Sequence, residues 1–255
     1  MSNYAELIYP PDEGNTYPDK LAEYISNRFI KTYNPKSKRD GVGYNPSTRT
    51  NDGSGNFVGK AKILDIGCCR GDALRRLKNN HAKLELYGVD VRDEQPDGVV
   101  FETCNLEKDS LPFDDNTFDF VYSKSVLEHV FNTDNFVSES LRVLKPGGVF
   151  IGLTPDWRSQ QDFFWDDYTH VKPFTRKGLR DCLRMHGFDN ADCEIFYQLP
   201  FTWDNPALTF IPKLVSLLPD CLKWKDSEQR NTKDRKLIRF SKEKMLLSYG
   251  QKPKK

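Results

Sequence analysis

From Ala61 onward, short apolar runs ending in Gly or Asp alternate with amphipathic segments, and this alternation restricts the fold more than any other feature of the chain. Runs of this length suit buried strands, and amphipathic segments between them suit crossover helices that cover a parallel sheet. The runs are Ala61 to Ile66, Leu84 to Val91, Gly98 to Asn105, Phe118 to Ser123 and Gly148 to Thr154. Five buried strands in βα alternation are predicted. Asp72 to Ala82 would cover the first two with Ala73, Leu74 and Leu77 on one face. Val126, Val130, Val137, Leu141 and Leu144 would do the same between the last two. Lys145-Pro146-Gly147-Gly148 reads as a helix stop and a tight turn into the fifth strand.

Beyond that strand, Thr175 to His186 reads as a helix closed by Gly187, and Cys193 to Gln198 as a strand whose partner is Met245 to Tyr249. Between the two lies an insertion, about 200 to 240, apolar over Pro206 to Trp224 and then strongly charged. Residues 1 to 60 read as an N-terminal arm, expected as a lid. They hold one helix around Lys20 to Lys31, with Leu21, Tyr24, Ile25, Phe29 and Ile30 near helical spacing, and a loop from Gly41 to Lys60. Residues 61 to 255 form the second expected unit.

The 38 Lys and Arg against 37 Asp and Glu give a formal charge of +1, which disfavours a role in coating phosphate backbones, so no nucleic-acid partner is expected. The first residues show no basic start followed by an apolar run, and no stretch of about 20 apolar residues occurs. A cytoplasmic location is expected, with 206 to 224 as the one segment suited to a membrane surface. Its two internal prolines, Pro212 and Pro219, favour instead a cap over a pocket. Six cysteines without CxxC spacing read as free thiols.

Chemistry concentrates at strand ends. Ile63-Leu64-Asp65-Ile66-Gly67-Cys68-Cys69-Arg70-Gly71-Asp72 carries a strand into a glycine turn and then a helix, where a backbone free of side chains lets a ligand approach the helix N-terminus. Asp90 ends the next strand 23 residues after Gly67, placed to accept both hydroxyls of a ribose. Together they point to a bound adenosine. The missing third glycine argues against a dinucleotide.

On these residues the chain resembles the class I S-adenosylmethionine-dependent methyltransferases, in particular the type 11 group, from about Lys60 to the C terminus. Ile63 to Asp72 is similar to the first motif and Asp90 to the ribose-binding acid. Cys104-Asn105-Leu106-Glu107 with Leu111-Pro112-Phe113 resembles the segment beside the adenine. Phe118 to Ser123 with Val126 to Val130, and Arg142 to Gly148, resemble the fourth strand and the lead into the fifth. The resemblance implies an α/β, doubly wound, Rossmann-like and mostly parallel sheet of seven strands with an antiparallel last strand. It implies S-adenosyl-L-methionine as cofactor, bound by Asp65, Gly67, Cys68, Cys69, Gly71, Asp90, Val91, Asn105, Leu106 and Ser123. Two positions depart from the family: Cys69 stands where glycine is common, so a φ > 0 demand there would strain the turn, and Asn105 where aspartate is common.

Methyl transfer from a sulfonium is an in-line displacement that rests on positioning, and a hydroxyl acceptor must also lose its proton. His129, His170 and Asp156 are the candidate catalytic residues. His129 follows the fourth strand and reads as a base facing substrate or as a helix residue with a satisfied polar contact. His170 lies in Asp166-Asp167-Tyr168-Thr169-His170-Val171-Lys172-Pro173-Phe174, which resembles a D-x-T-H-V-x-P-F stretch of the group, and reads as a base or as a loop pin. Asp156 and Trp157 follow the fifth strand and are expected to line the acceptor pocket. Two acids and a histidine here could hold a divalent metal, but no spacing compels it and none is expected. The aromatics of the loop and insertion suit a small-molecule or glycan acceptor, or a plain hydrophobic lid. O-methylation of such an acceptor leads the reading, with N- or C-methylation of a metabolite or lipid and a scaffold that binds the cofactor without turnover as alternatives. The sequence carries no sign of oligomeric state.

Overall fold

The computed structural model of the chain describes residues 17–31, 60–222 and 235–254. The loop expected from Gly41 to Lys60 lies almost wholly outside the described residues.

Seven strands form one sheet in the order β3-β2-β1-β4-β5-β7-β6. They are β1 (Ala61–Ile66), β2 (Leu84–Asp90), β3 (Val100–Thr103), β4 (Phe118–Lys124), β5 (Leu144–Pro155), β6 (Asp189–Phe196) and β7 (Met245–Gln251). Strands β1 to β5 pair in parallel, and β7 runs antiparallel between β5 and β6. The expected architecture, antiparallel last strand included, is the one observed.

Period-two alternation sorts the strand residues onto two faces. Ile63, Phe120, Ile151 and Leu247 join one apolar cluster, while their neighbours Leu64, Val121, Phe150 and Leu246 join the other. The first face is covered by α1 (Tyr17–Ile25), which continues as a π-helical turn over Ser26–Ile30, and by α2 (Asp72–Asn80). The second is covered by α3 (Thr133–Val143) and α4 (Arg176–Met185), whose N-cap Thr175 accepts from the Gly178 N–H. Burial on both sides is why the central strands read as continuous apolar runs.

Three expectations are corrected. First, residues 17–30 are a layer of the core rather than part of an arm: Leu21, Ala22, Ile25, Phe29 and Ile30 are buried against Phe196 and Tyr249. Second, β3 is not buried. It is the sheet's edge, where one neighbour is missing, and three of its four residues are exposed. Third, Lys145-Pro146-Gly147-Gly148 makes no turn between elements. Leu144 already pairs with Phe118 and Val149 with Phe120, so the four residues bulge out within β5, with Gly147 at φ +82.

β1 lies where the sheet order reverses direction, with β2 on one side and β4 on the other. Ligands of open α/β sheets bind beyond the carboxyl ends of the strands at such a point. The insertion after β6 holds short helices at Phe201–Asp204, Phe210–Val215 and Lys236–Lys242. Its apolar side chains Phe210, Leu214 and Leu217 are exposed.

Candidate active site

At the switch point the glycine turn closes largely on itself. Gly67 and Cys68 N–H both donate to Val89 O, Gly71 N–H donates to Cys68 O at 2.7 Å, and Cys69 N–H donates to Asp90 Oδ2 at 2.9 Å. The turn therefore offers shape more than donors. Gly67 (φ +77) and Gly71 (φ +73) take left-handed conformations, and a Cβ on Gly67 would stand 2.3 Å from Val126 Cγ2. Cys69 also sits at φ +51, so the strain expected of a side chain there is present. Cys69→Gly is expected to raise unfolding stability in urea by about 1 kcal/mol.

Asp90 ends β2 with both oxygens engaged: Oδ2 takes Cys69 N–H, and Oδ1 takes the Arg92 backbone N–H and Nε. A carboxylate has about four lone-pair sites, so room for a diol donor remains. Val91, next in sequence, is exposed at 64%. Asp65 lies buried at the tip of β1, where burial first and Asp90 second hold its carboxyl well above the usual carboxylate range, while Lys124 opposes them. Two acids crowded into one crevice suit a cationic ligand. Because the folded-state value of Asp65 is raised, stability tied to it is fully present below about pH 3.9 and is lost as pH rises through the folded value. Asp65→Asn is therefore expected to raise the melting temperature of the cofactor-free protein at neutral pH, with the gain vanishing in acid.

Not every expected cofactor residue presents a side chain to that crevice. The Cys68 thiol packs inside the core and would meet a Cβ on Gly88 at 2.6 Å. The Ser123 hydroxyl is spent on Ile66 O, pinning β4 to β1. Asn105 Oδ1 accepts from Glu107 N–H in an Asx turn, and Leu106 is buried.

Next to the turn, Val126 leads into a 3-10 turn, Leu127–His129, and the loop 164–174 folds onto it: Val171 and Lys172 N–H both donate to Glu128 O. This brings His129 and His170 together, with ring centroids 4.8 Å apart. His129 Nδ1 lies 3.2 Å from Thr169 O and 2.9 Å from Thr169 Oγ1, whose own hydrogen goes to Asp167 Oδ1. His170 Nδ1 lies 2.6 Å from Phe164 O. Carbonyl oxygens only accept, so Nδ1 carries the hydrogen in both rings, and the lone pair of each neutral imidazole falls on Nε2. Burial, helped by His170, pushes His129 below the ordinary histidine value.

Two residues of this site escaped the sequence reading as functional candidates. Glu128 is buried, its Oε2 accepts from Thr154 Oγ1 at 2.8 Å, and burial pushes its carboxyl up to about 7. Lys124 acts electrostatically on both Asp65 and Glu128, joining the two halves of the site. An acid after a strand is too common to single out, and the contact with Thr154 spans two strands, so no local pattern marks either. Asp156, expected to line the pocket, is buried, and burial raises its carboxyl. It lines a cleft of about 390 Å³ with Arg158, Arg176, Lys177, Arg180 and Ile195.

Comparison with known proteins agrees with this geometry. Residues 64–152 match the sequence model of the family described as "Methyltransferase domain". Among curated proteins, 24-methylenesterol C-methyltransferase 3 of Arabidopsis thaliana is 31% identical over 120 residues, 43% of this chain and 33% of that one. Phosphoethanolamine N-methyltransferase 2 of Caenorhabditis elegans is 26% identical over 167 residues, 60% of this chain and 38% of that one. The chain thus spans about a third of the length of the curated relatives it matches. Among solved structures, the [4+2]-cyclase SpnF superposes with a TM-score of 0.57 at 18% identity, covering 93% of this chain and 81% of that one. The matched stretch, residues 64–152, is therefore similar to a methyltransferase domain, and the sheet around it has the fold of the class I S-adenosylmethionine-dependent enzymes. S-adenosylmethionine is the cofactor of that domain, and the left-handed glycine turn beside Asp65 and Asp90 fits a cationic nucleoside.

Proposed function

We propose that the protein transfers the methyl group of S-adenosylmethionine to a hydroxyl of a small-molecule or glycan-type acceptor. The cofactor lies across the Gly67 turn with its ribose on Asp90, and the acceptor enters from the loop 164–174. The observation that carries the choice of a hydroxyl is the pair of imidazoles with Nδ1 fixed on carbonyls. Their Nε2 lone pairs make a pole at which a hydroxyl gives up its proton, a need that a neutral amine lacks. Trp165 and Tyr168, exposed at 54% and 84%, suit stacking against the C–H faces of a sugar. Asp156 borders the acceptor space from the end of β5.

His129→Ala and His170→Ala are each expected to lower kcat by about 10²-fold or more while leaving the Kd for S-adenosylmethionine unchanged. S-adenosylhomocysteine release with fractionated extracts as acceptor source is the measurement. Unchanged kcat in both variants would remove the hydroxyl reading.

N-methylation of an anionic amine is the second reading, and the cleft favours it: Arg158, Arg176, Lys177 and Arg180 suit a phosphate or carboxylate, with Asp156 for an ammonium. Turnover of phosphorylated amines in preference to sugars, abolished by Arg176→Ala with Arg180→Ala, would decide for it. The [4+2]-cyclase SpnF shares the fold, so release of S-adenosylhomocysteine, rather than cofactor binding, is what separates an enzyme of this class from a scaffold.

A further inference from the structure

We propose that Glu128, His129 and His170 form a binding site for one divalent transition-metal ion. One ligand atom from each lies within 4.8 Å of the other two. The Nδ1 bonds described above leave Nε2 of each ring as the nitrogen available to a metal. A metal-bound imidazole typically donates its other N–H to a carbonyl or carboxylate, which sets the tautomer and the ring plane. Here two backbone carbonyls, Thr169 O and Phe164 O, do so for two adjacent rings.

The carboxylate is prepared in the same way. Glu128 Oε2 is held by Thr154 Oγ1, and Glu128 O holds the loop through two N–H groups. Were the histidines present only to hold that loop, their Nδ1 atoms and Glu128 O would suffice, and nothing would require nitrogens of two rings and a carboxylate oxygen to gather within 4.8 Å. Asp167 Oδ2 stands 3.8 Å from His170 Nε2, too long for a hydrogen bond but close to the spacing of two ligands on one ion. Atoms bound at about 2.1 Å lie about 3–4 Å apart around a metal, so closure asks for movements of about 1 Å.

Two imidazoles and one carboxylate leave open positions and suit zinc or ferrous iron better than magnesium or calcium, which prefer all-oxygen shells. The site stands on this geometry alone. Its role rests on the methyl-transfer reading: an acceptor hydroxyl at such an ion loses its proton to solvent more readily, and the imidazoles then serve as ligands.

The test is titration of the chelator-treated full chain with Co²⁺, followed by its visible absorption, and with Zn²⁺ by calorimetry. Saturable binding of one ion per chain with a low-coordinate Co²⁺ spectrum is expected. His129→Gln, His170→Gln and Glu128→Gln should each weaken it by at least about 10-fold, the range seen when a site loses a supporting contact. Circular dichroism and S-adenosylmethionine affinity serve as checks that each variant folds. No saturable spectrum in the wild type, or equal binding by a folded His129→Gln/His170→Gln double variant, overturns the proposal. Turnover that persists in chelator together with no Co²⁺ binding removes the metal site and leaves the methyl-transfer reading standing. Metal binding without S-adenosylhomocysteine release does the reverse.

Discussion

Asp90→Ala is expected to weaken S-adenosylmethionine binding by about 100-fold while leaving the melting temperature of the cofactor-free protein near its original value. The affinity loss follows from two hydrogen bonds between a ribose diol and a carboxylate, worth about 1.5 kcal/mol each where the acceptor is charged. The stability outcome is a balance. Removing the carboxylate strips Cys69 N–H and Arg92 of an acceptor, which destabilises the turn. It also removes the neighbouring charge that helps hold the Asp65 carboxyl in an unfavourable state. These contributions oppose each other at about 1 kcal/mol each. Asp90→Asn separates shape from charge: the amide keeps one acceptor oxygen, so its affinity should fall between those of wild type and alanine variant. Calorimetry with S-adenosylmethionine and thermal melts without it measure the two quantities independently. An alanine variant that binds as tightly as wild type would mean that the nucleoside does not rest on β2.

Much of this crevice was legible in the chain itself, for a physical reason. The strands that build it are central, covered on both faces, and read as uninterrupted apolar runs. β1 spans Ala61–Ile66 as expected, and β2 and β4 each end within one residue of the expected limit. The glycine turn and Asp90 are equally local, since a φ > 0 position and a strand-end acid both show in neighbouring residues. What stayed hidden depends on pairing across the sheet. The bulge at residues 145–148 exists because Phe118 takes Leu144 as partner, a register that no property of Lys-Pro-Gly-Gly encodes. The stripe of Leu21, Ile25 and Phe29 showed a helix but not which surface it covers, because the residues between it and β1 carry no pattern that continues it. Glu128 is the sharpest case: its importance comes from Thr154, 26 residues on, and from a loop beyond β5.

Gly67→Ala is expected to be the most damaging single substitution in the crevice, destabilising the fold by about 3 kcal/mol or more and abolishing cofactor binding. Two separate costs combine there. A left-handed conformation costs a residue with a Cβ about 1–2 kcal/mol. The new methyl would also stand 2.3 Å from Val126 Cγ2, well inside contact distance, and Val126 leads directly into the turn that carries Glu128 and His129. Gly98 supplies the control. It has nearly the same φ, +72, with nothing within 4 Å of its would-be Cβ, so Gly98→Ala reports the backbone cost alone. The excess of Gly67→Ala over Gly98→Ala in urea unfolding is then the steric part. Val126→Ala in the Gly67→Ala background should recover most of that excess but none of the backbone cost, because it removes Cγ2 and leaves φ unchanged. Equal losses at positions 67 and 98 would mean that the turn and Val126 move apart freely, and the close packing that ties the cofactor crevice to the histidine pair would then be no constraint at all.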